Sequence, residues 1–142
     1  MAAGAKTREC EVRLKVPFHD LDPMQVVWHG HYIKYFEMAR EQLMDVLGVD
    51  LKSYSINTGY LFPIVKSQVK YIHPLRHRDE FDCRARLVEA NRRIVIDFEI
   101  RLAADGKLCA KGRTEQLAVR LPDLELEMNI PGDIQKALGF NE

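Results

Sequence analysis

Apolar residues recur at every third or fourth position between residues 31 and 47, and this spacing predicts one long helix with a wide buried face. The repeating positions are Tyr32, Tyr35, Phe36, Ala39, Leu43, Val46 and Leu47. Gly48 follows directly, and a glycine at this point can end a helix in the left-handed conformation. Before the helix, apolar and polar residues alternate across residues 10–18, which predicts a β-strand.

Four further strands are predicted after the helix, because apolar and polar residues alternate there with a period of two. Their ranges are 60–73, 80–87, 94–102 and 108–121. Pro63 must lie near the end of its strand or at a sheet edge, since proline cannot donate a ladder hydrogen bond. The apolar phase shifts between Ala110 and Leu117, which predicts a β-bulge in the last strand. The remaining predicted elements are a short helical or irregular connection, a hairpin turn and a short C-terminal helix, at residues 50–59, 104–106 and 130–138.

The element order is strand, long helix, then four antiparallel strands. Only one long helix is available to cover the sheet, so it must lie across the apolar face while the sheet curls around it. The sequence therefore predicts an α+β fold, built as a single domain across residues 1–142. The opposite face of the helix carries Glu37, Arg40 and Glu41, and we expect a second subunit to cover it.

Composition narrows the classes of function. Apolar residues make up 46% of the chain and charged residues 30%, and 21 basic side chains balance 21 acidic ones. Neither nucleic acid nor an anionic membrane is therefore expected as a partner, and an anionic ligand would need a local basic cluster. No apolar segment is long enough to span a membrane. Cys10, Cys83 and Cys109 lack a CxxC spacing and the amino terminus shows no signal peptide, so a cytoplasmic protein with reduced thiols is expected.

The segment before the helix concentrates acids and histidines, namely Asp20, Asp22, His29 and His31. Free backbone N–H groups at the start of a helix attract developing negative charge. A carboxylate held beside them could attack an acyl carbon or activate water, while the amides stabilise the oxyanion. Acyl transfer is the reaction class that this arrangement serves.

Simpler explanations exist for the same residues. Asp20 or Asp22 could merely cap a turn, and His29 could be a packed or hydrogen-bonded side chain. His29 and His31 could bind zinc together with one of the aspartates. They lack the fixed ligand spacing of known zinc motifs, however, so no metal site is predicted.

Residues 22–32, DPMQVVWHGHY, resemble the signature of the 4-hydroxybenzoyl-CoA thioesterase-like branch of the hotdog-fold acyl-CoA thioesterases. Residues 35–40, 62–65 and 71–75 are similar to the helix and the second strand of that family. The likeness spans roughly residues 8–121. It implies a hotdog fold, in which a five-stranded antiparallel sheet wraps around the long helix. It also implies that two subunits join into one continuous sheet with active sites at their interface, often within a tetramer.

The resemblance also implies roles for individual residues. Asp22 falls on the family's catalytic carboxylate, which acts as a nucleophile or as a general base toward water. His29 falls at the helix start, where a backbone amide polarises the thioester carbonyl and the imidazole could assist. Tyr32 could shape the substrate pocket, although core packing explains it equally well. Glu37 is a second candidate carboxylate at the substrate, but pairing with Arg40 explains it more simply.

Two departures from the family pattern lie beside the expected acyl pocket. Gln25 stands where many members have glycine, so the loop could follow a different path. His31 stands where asparagine or serine is common in the family. Both departures leave the identity of the acyl group open.

The resemblance places coenzyme A at a turn between two long strands, where family members often have basic residues. Arg92 and Arg93 lie at this turn, and guanidinium groups suit bidentate contacts with phosphate. A second basic cluster at residues 76–78 ranks below them. In both places a solvated charged turn is the simpler explanation.

The predicted function is hydrolysis of acyl-CoA thioesters to a free acid and coenzyme A, without a metal or redox cofactor. An acyl carrier protein could replace coenzyme A, because both present the same phosphopantetheine arm. A homodimer or homotetramer is expected from the resemblance. Two alternatives remain open: a hotdog hydratase or dehydratase that moves protons with Asp22 and His29, and a non-catalytic binder of acyl thioesters.

Overall fold

The structure, a computed structural model, describes residues 8–140 and has a five-stranded antiparallel sheet packed against one long helix. In chain order the elements are β1 (Glu9–Lys15), α1 (His31–Leu47), α2 (Leu51–Thr58), β2 (Tyr60–Leu61), β3 (Ile64–Tyr71), β4 (Glu80–Glu89), β5 (Ile94–Leu102), β6 (Leu108–Gln116), β7 (Val119–Arg120), β8 (Glu125–Leu126) and α3 (Gly132–Ala137). The large sheet has the order β1-β4-β5-β6-β3, and β2, β7 and β8 form a second, small sheet. This architecture confirms the predicted α+β hotdog fold. Residues 1–7, where the sequence predicts no signal peptide, lie outside the described residues.

Helix α1 has the bounds that its hydrophobic pattern predicts. It ends at Leu47, and Gly48 follows in the left-handed conformation (φ 74°) with its N–H bonded to the carbonyl of Asp45. The predicted connection after it is the short helix α2, which Asp50 caps by accepting a hydrogen bond from the Ser53 N–H. Within residues 8–140, no helix is both long and apolar enough to cross a membrane.

Two predicted strands are shorter in the structure because the chain changes sheets. Pro63 separates β2 from β3, since it cannot donate a hydrogen bond to either sheet. The last long strand ends at Gln116, and the next N–H, that of Leu117, bonds to the Pro63 carbonyl. The bulge was predicted in the last long strand between Ala110 and Leu117. A register shift does fall within this window, opposite Glu115 and Gln116, but its extra residue, Val65, belongs to β3. The β5–β6 pairing also shifts so that Cys109 has no opposite residue, which places an irregularity of β6 itself just before the predicted window.

The core lies between α1 and the inner face of the large sheet. Phe36 and Phe98 are fully or almost fully buried, and their rings stack at 4.6 Å between centroids. Burial of each ring contributes roughly 2 kcal/mol to folding. A side chain at Gly112 would bring its Cβ to 2.3 Å from the Phe36 ring, so this position of β6 must be glycine for the helix to approach the sheet.

The predicted exposure of Arg40 was wrong. Glu37 and Glu41 are exposed as expected, but Arg40 is buried and donates a hydrogen bond to the Thr114 hydroxyl at 2.7 Å. Its guanidinium also pairs with Glu37 and lies 5.6 Å from the centroid of the Phe98 ring. A long arginine stem can cover apolar surface while its charged end finds polar partners.

The outer face of the large sheet is built from cross-strand ion pairs. Arg13 meets Asp82 at 2.8 Å across β1 and β4, and Arg113 meets Asp97 at 2.6 Å across β5 and β6. Arg84 and Arg86 of β4 pair in the same way with acids on neighbouring strands, and Arg101 pairs with Glu99 along β5. Each such exposed pair contributes little stability, but together they neutralise the positive charge of the face.

Strand β3 forms one edge of the large sheet and is paired with β6 alone. Almost all of its residues are exposed, including Val65, which is 54% exposed, and Tyr71. A long edge strand with exposed apolar side chains is an open template for pairing with another strand. This edge lies beside the start of α1, because the Tyr71 hydroxyl donates a hydrogen bond to the carbonyl of His29.

Candidate active site

Asp22 lies in a tight turn whose backbone holds its carboxylate in place. The Asp22 N–H bonds to the Val26 carbonyl, and the Gln25 N–H bonds back to the Asp22 carbonyl, both at 2.9 Å. One carboxylate oxygen of Asp22 accepts the Met24 N–H at 2.8 Å. The second oxygen has no hydrogen-bond donor within the described residues, so it is available to a ligand or to water.

Gln25 shows how the turn accommodates the departure from the family pattern. Its φ is 67°, in the left-handed region that glycine adopts most easily. Gln25 therefore adopts a backbone conformation in which glycine would be unstrained. The cost is local backbone strain of order 1–3 kcal/mol, held in place by the surrounding hydrogen bonds.

The start of α1, which follows this turn in the chain, presents backbone N–H groups. The first two helical amides, those of His31 and Tyr32, bond to the carbonyls of Trp28 and His29. The preceding amides, of His29 and Gly30, have no acceptor among residues 8–140, and no side chain caps the helix. A Cβ at Gly30 would lie 2.1 Å from the Trp28 ring, so a larger residue here would displace that exposed ring. The helix therefore offers free donors of the kind that stabilise an oxyanion.

Asp20, the other acid of the motif, is buried rather than available for chemistry. Its two oxygens each lie 2.8 Å from the Lys34 ammonium, and the Tyr35 hydroxyl donates to one of them at 2.5 Å. Burial alone would raise the pKa of this carboxyl, but the hydrogen bonds from Lys34 and Tyr35 outweigh it and hold the pKa below its usual range. The Asp20 carbonyl also accepts the Trp28 N–H, which ties the loop to the helix.

No local pattern in the sequence identifies the contacts of Asp20. Lys34 and Tyr35 lie fourteen and fifteen residues after Asp20, and nothing in their spacing pairs them with an acid. His31 lies near the same carboxylate, with 3.8 Å between its Nε2 and an Asp20 oxygen. Within residues 8–140, no group of three or more histidine, cysteine or acidic side chains is arranged to hold a metal ion.

Aromatic side chains surround His29 and extend the site toward β3. The His29 ring lies 5.1 Å from the Trp28 ring and 6.2 Å from the Tyr71 ring, measured between centroids. Tyr32 is buried, its ring lies 5.0 Å from that of Tyr71, and its hydroxyl accepts the Leu75 N–H. Tyr71 was not singled out from the sequence, since an alternating strand gives no hint of which end meets the helix.

The other predicted site residues lie farther along the chain's surface. Glu37 is half-exposed and pairs with Arg40, so no contact joins it to the Asp22 turn. Arg93 forms an ion pair with Glu115 at 2.5 Å, while Arg92 is exposed and unpaired within the described chain. Asp22 and His29 both lie in the loop that precedes α1. Their catalytic roles, like the coenzyme A assignments of Arg92 and Arg93, stay predictions.

Two cavities of the single chain lie away from Asp22. One of about 590 Å³ runs along the outer side of α1 and is lined by Glu37, Arg40 and Met44, among others. Another of about 310 Å³ lies among charged side chains of the outer sheet face, including Arg84 and Lys111. We give more weight to the Asp22 turn than to these cavities, because it combines an available carboxylate with free amides.

The fold and this site define an α+β hotdog protein with a carboxylate at the amino end of its central helix. Residues 16–138 match the model of the thioesterase-like superfamily, and the chain belongs to that family. A 1,4-dihydroxy-2-naphthoyl-CoA thioesterase from Synechocystis has a similar structure, with a TM-score of 0.83, 20% identity and coverage of 92% of this chain and 95% of that one.

Two curated relatives carry the name 1,4-dihydroxy-2-naphthoyl-CoA hydrolase. The protein from Thermosynechococcus vestitus is 33% identical over 60 residues, which cover 42% of this chain and less than half, 41%, of that protein. The protein from Crocosphaera subtropica is 25% identical over 132 residues, which cover 89% of this chain and 93% of that one. The second match extends over nearly the whole length of both proteins.

Proposed function

We propose that this protein hydrolyses acyl thioesters of coenzyme A to a carboxylic acid and free coenzyme A. The observation that carries the proposal is the loop before α1, which holds both a free carboxylate oxygen, on Asp22, and two backbone amides without acceptors, those of His29 and Gly30. Membership of the thioesterase-like superfamily and the names of the relatives support the same reaction. Two requirements of thioester hydrolysis, a positioned carboxylate and an oxyanion donor, are therefore present.

The reaction can proceed by either of two routes at Asp22. As a general base, Asp22 takes a proton from water while the oxygen attacks the thioester carbon. The negative charge then develops on the carbonyl oxygen, where the N–H groups of His29 and Gly30 stabilise it. Collapse of the tetrahedral intermediate breaks the C–S bond, and the thiolate leaves and takes up the proton. As a nucleophile, Asp22 forms a mixed anhydride that water hydrolyses in a second step.

We propose an aromatic acyl group as the substrate class. The relatives are named for an aromatic acyl-CoA, and Trp28, His29 and Tyr71 place aromatic rings around the helix start of this chain. An aromatic acyl group could pack against such rings edge-to-face or offset. The test is release of free thiol from aromatic and aliphatic acyl-CoAs by the wild-type protein. A higher kcat/KM for the aromatic substrates is expected, and a preference for long aliphatic chains would contradict this assignment.

The His29→Ala variant separates the thioesterase from a hydratase of the same fold. We expect kcat for thioester hydrolysis to fall by less than about tenfold, because the backbone amide that polarises the carbonyl remains. A hydratase would need the imidazole as general base and would lose most of its activity. The measurements are thiol release from an acyl-CoA and loss of the double bond of an enoyl-CoA. Hydration of the enoyl-CoA that depends on His29 would favour the hydratase.

We propose further that two copies pair through β3 in a cytoplasmic homodimer, with a tetramer as an expected larger assembly. The open β3 edge and its exposed apolar residues support the pairing. Since Tyr71 lies on this strand and contacts His29, a partner at the edge would also enclose the site. Asp22 lines neither of the two cavities described above. A substrate pocket that forms only when a partner covers the β3 edge would explain this.

The Val65→Lys variant tests this interface. We expect the wild-type protein to be at least dimeric and the variant to be monomeric, because a charge on an edge strand opposes pairing with another strand. The variant should also lose kcat/KM, since the site would stay open. Native mass spectrometry and light scattering measure the mass. Ile56→Lys, on the exposed surface of α2, is the matched control and should leave the mass unchanged. A monomeric wild-type protein would contradict the proposal.

A further inference from the structure

Most arginine side chains of this protein form an ion pair or a hydrogen bond within the chain. The few that do not are candidates for binding an anionic ligand. Within residues 8–140, nearly every guanidinium group donates to a carbonyl or pairs with an acid. Arg76, Arg78 and Arg92 are the exceptions in that part of the chain. Arg76 and Arg78 lie in one exposed loop between β3 and β4, with His77 between them. The nearby Asp79 carboxylate accepts the Arg76 backbone N–H and leaves both guanidinium groups free.

This loop is joined directly to the Asp22 turn. Val26 forms a β-bridge with Arg76, and Val26 also accepts the Asp22 N–H. The Val27 N–H donates to the Leu75 carbonyl at 2.9 Å and fixes the same pairing. Val26 therefore lies between Asp22 and Arg76. Because Cα atoms that face each other across an antiparallel pairing are about 5 Å apart, the Cα atoms of Asp22 and Arg76 lie within about 10 Å. One elongated thioester could therefore contact both places.

Exposed aromatic groups accompany the free cations. Phe18 is 71% exposed, and its ring meets the His77 ring edge-on at 5.6 Å between centroids. Met24 and Trp28 are also exposed on the Asp22 side of the loop. Free guanidinium groups beside exposed rings suit a ligand that carries both phosphates and an aromatic base.

Arg78 occupies its position at a conformational cost. Its φ is 68°, where glycine would be unstrained and an arginine is not. The backbone is held there by the Arg78 N–H bonding to the Val16 carbonyl. A strained, unpaired, exposed arginine next to a candidate active site is best explained by a need for its charge.

The turn at residues 91–93 offers less free charge. Arg93 is bonded to Glu115 at 2.5 Å and lies 3.8 Å from Glu89, so its guanidinium is already satisfied. Arg92 is the single free cation there, with Glu127 lining the same hollow. Two free arginines and a histidine make the loop at residues 76–78 the stronger site for a polyanion.

We propose that the loop at residues 76–78 binds the phosphates of the nucleotide end of coenzyme A, with the Phe18–His77 ring pair beside the adenine. This inference rests on the proposed thioesterase function. In this arrangement the coenzyme A part of the substrate binds on the same face of the protein as Asp22. This arrangement also means that coenzyme A, rather than a shorter thiol, gains affinity from this chain's own arginines.

The test uses the double variant Arg76→Ala/Arg78→Gly of the full chain. We expect KM for an acyl-CoA to rise at least about tenfold with kcat within twofold, because phosphate contacts far from the reacting carbon bind substrate and transition state alike. The same acyl group on N-acetylcysteamine, which lacks the nucleotide, should show unchanged kcat and KM. Glycine relieves the strain at residue 78, so the variant should unfold at no lower temperature than the wild type. Lys52→Ala, which removes one exposed cation from α2, is the control for loss of surface charge elsewhere.

Direct binding separates failure of this inference from failure of the proposed function. Calorimetry with free coenzyme A should show at least a tenfold weaker Kd for the double variant, whether or not any thioester is hydrolysed. An unchanged Kd, or a rise in KM that is equal for both thioesters, would overturn the inference. Loss of binding in Arg92→Ala instead would assign the phosphates to the other turn and overturn it as well. Absence of turnover in a wild type that binds coenzyme A through Arg76 and Arg78 would remove the proposed function and leave the inference standing.

Discussion

Replacing Asp22 with asparagine is expected to lower kcat for acyl-CoA hydrolysis by at least about a hundredfold, with only a modest change in KM. Asparagine keeps the size of the side chain and can still accept the Met24 N–H that positions it. It cannot take a proton from water, and its amide oxygen is a poor nucleophile. The lost interaction is therefore one made only in the transition state. Steady-state release of free thiol from a panel of acyl-CoAs measures the effect.

Two companion variants make the result specific. Asp45→Asn removes a carboxylate from the exposed side of α1, and we expect it to leave kcat and KM unchanged. Glu37→Gln tests the rival carboxylate on the helix, which pairs with Arg40 in the structure. Undiminished turnover in Asp22→Asn together with a loss in Glu37→Gln would transfer the catalytic role to Glu37. Binding of coenzyme A without turnover in any form would support a non-catalytic binder.

The Asp20→Ala variant is expected to lower the free energy of unfolding by about 2–3 kcal/mol. The Tyr35 hydroxyl donates a hydrogen bond to Asp20, and the variant removes this acceptor. Because Tyr35 is buried, water cannot replace the lost acceptor. The Lys34 side chain is nearly half exposed, and its ammonium recovers hydration, which keeps the loss below that of a fully buried ion pair. Urea unfolding followed by circular dichroism measures the change. Asp20→Asn keeps an acceptor for Tyr35 and should lose less, and equal losses in the two variants would contradict this account.

The same carboxylate predicts a pH dependence of stability. The pKa of Asp20 is lowered in the folded protein, since the hydrogen bonds from Lys34 and Tyr35 outweigh burial. A lowered folded-state pKa means that the unfolded chain binds the proton first as the pH falls. The stabilisation is therefore complete above the unfolded pKa of about 3.9 and is lost as the pH falls through the lower folded value. The difference in unfolding free energy between wild type and Asp20→Asn should shrink over that interval, and a constant difference would contradict the prediction.

Asp20 and Asp22 illustrate the limit of a sequence motif. Both lie in the same short acidic loop, and local pattern alone allows either to cap a turn, bind a metal or catalyse a reaction. The fold separates them, because Asp20 is bonded to Lys34 and Tyr35 on α1 while Asp22 accepts only the Met24 N–H of its own turn through its carboxylate. The resemblance to hotdog thioesterases favours Asp22, and the burial of Asp20 supplies an independent physical reason for the same choice.

Arg76, Arg78 and Arg93 show the same limit for charged residues. The sequence reveals basic clusters at residues 76–78 and 91–93 but cannot show which cations are free. Glu115, which pairs with Arg93, lies on a different strand and meets it only after β5 and β6 have aligned. The order of preference between the two clusters therefore depends on partners that are distant in the sequence.

The sequence by itself determined the elements whose signals are local. The period of the apolar residues sets the bounds of α1, Gly48 ends it, and strict alternation defines β5. Side chains that belong to one helix face or one strand face need no distant partner to be recognised. This local information also established the α+β class and the place of the acidic loop before the helix.

Only the tertiary structure decided which polar side chains form hydrogen bonds or ion pairs within the chain and which have no such partner. Asp20 bonds to Lys34 on the helix, and Arg40 is buried with a hydrogen bond to Thr114. The Tyr71 hydroxyl donates to the carbonyl of His29, because the sheet places β3 next to the start of α1. The physical reason is that burial and pairing depend on contacts between residues far apart in the chain, and no local pattern encodes them. The chemistry of the site follows from those contacts, since one Asp22 carboxylate oxygen and the amides of His29 and Gly30 have no hydrogen-bond partner in the described chain.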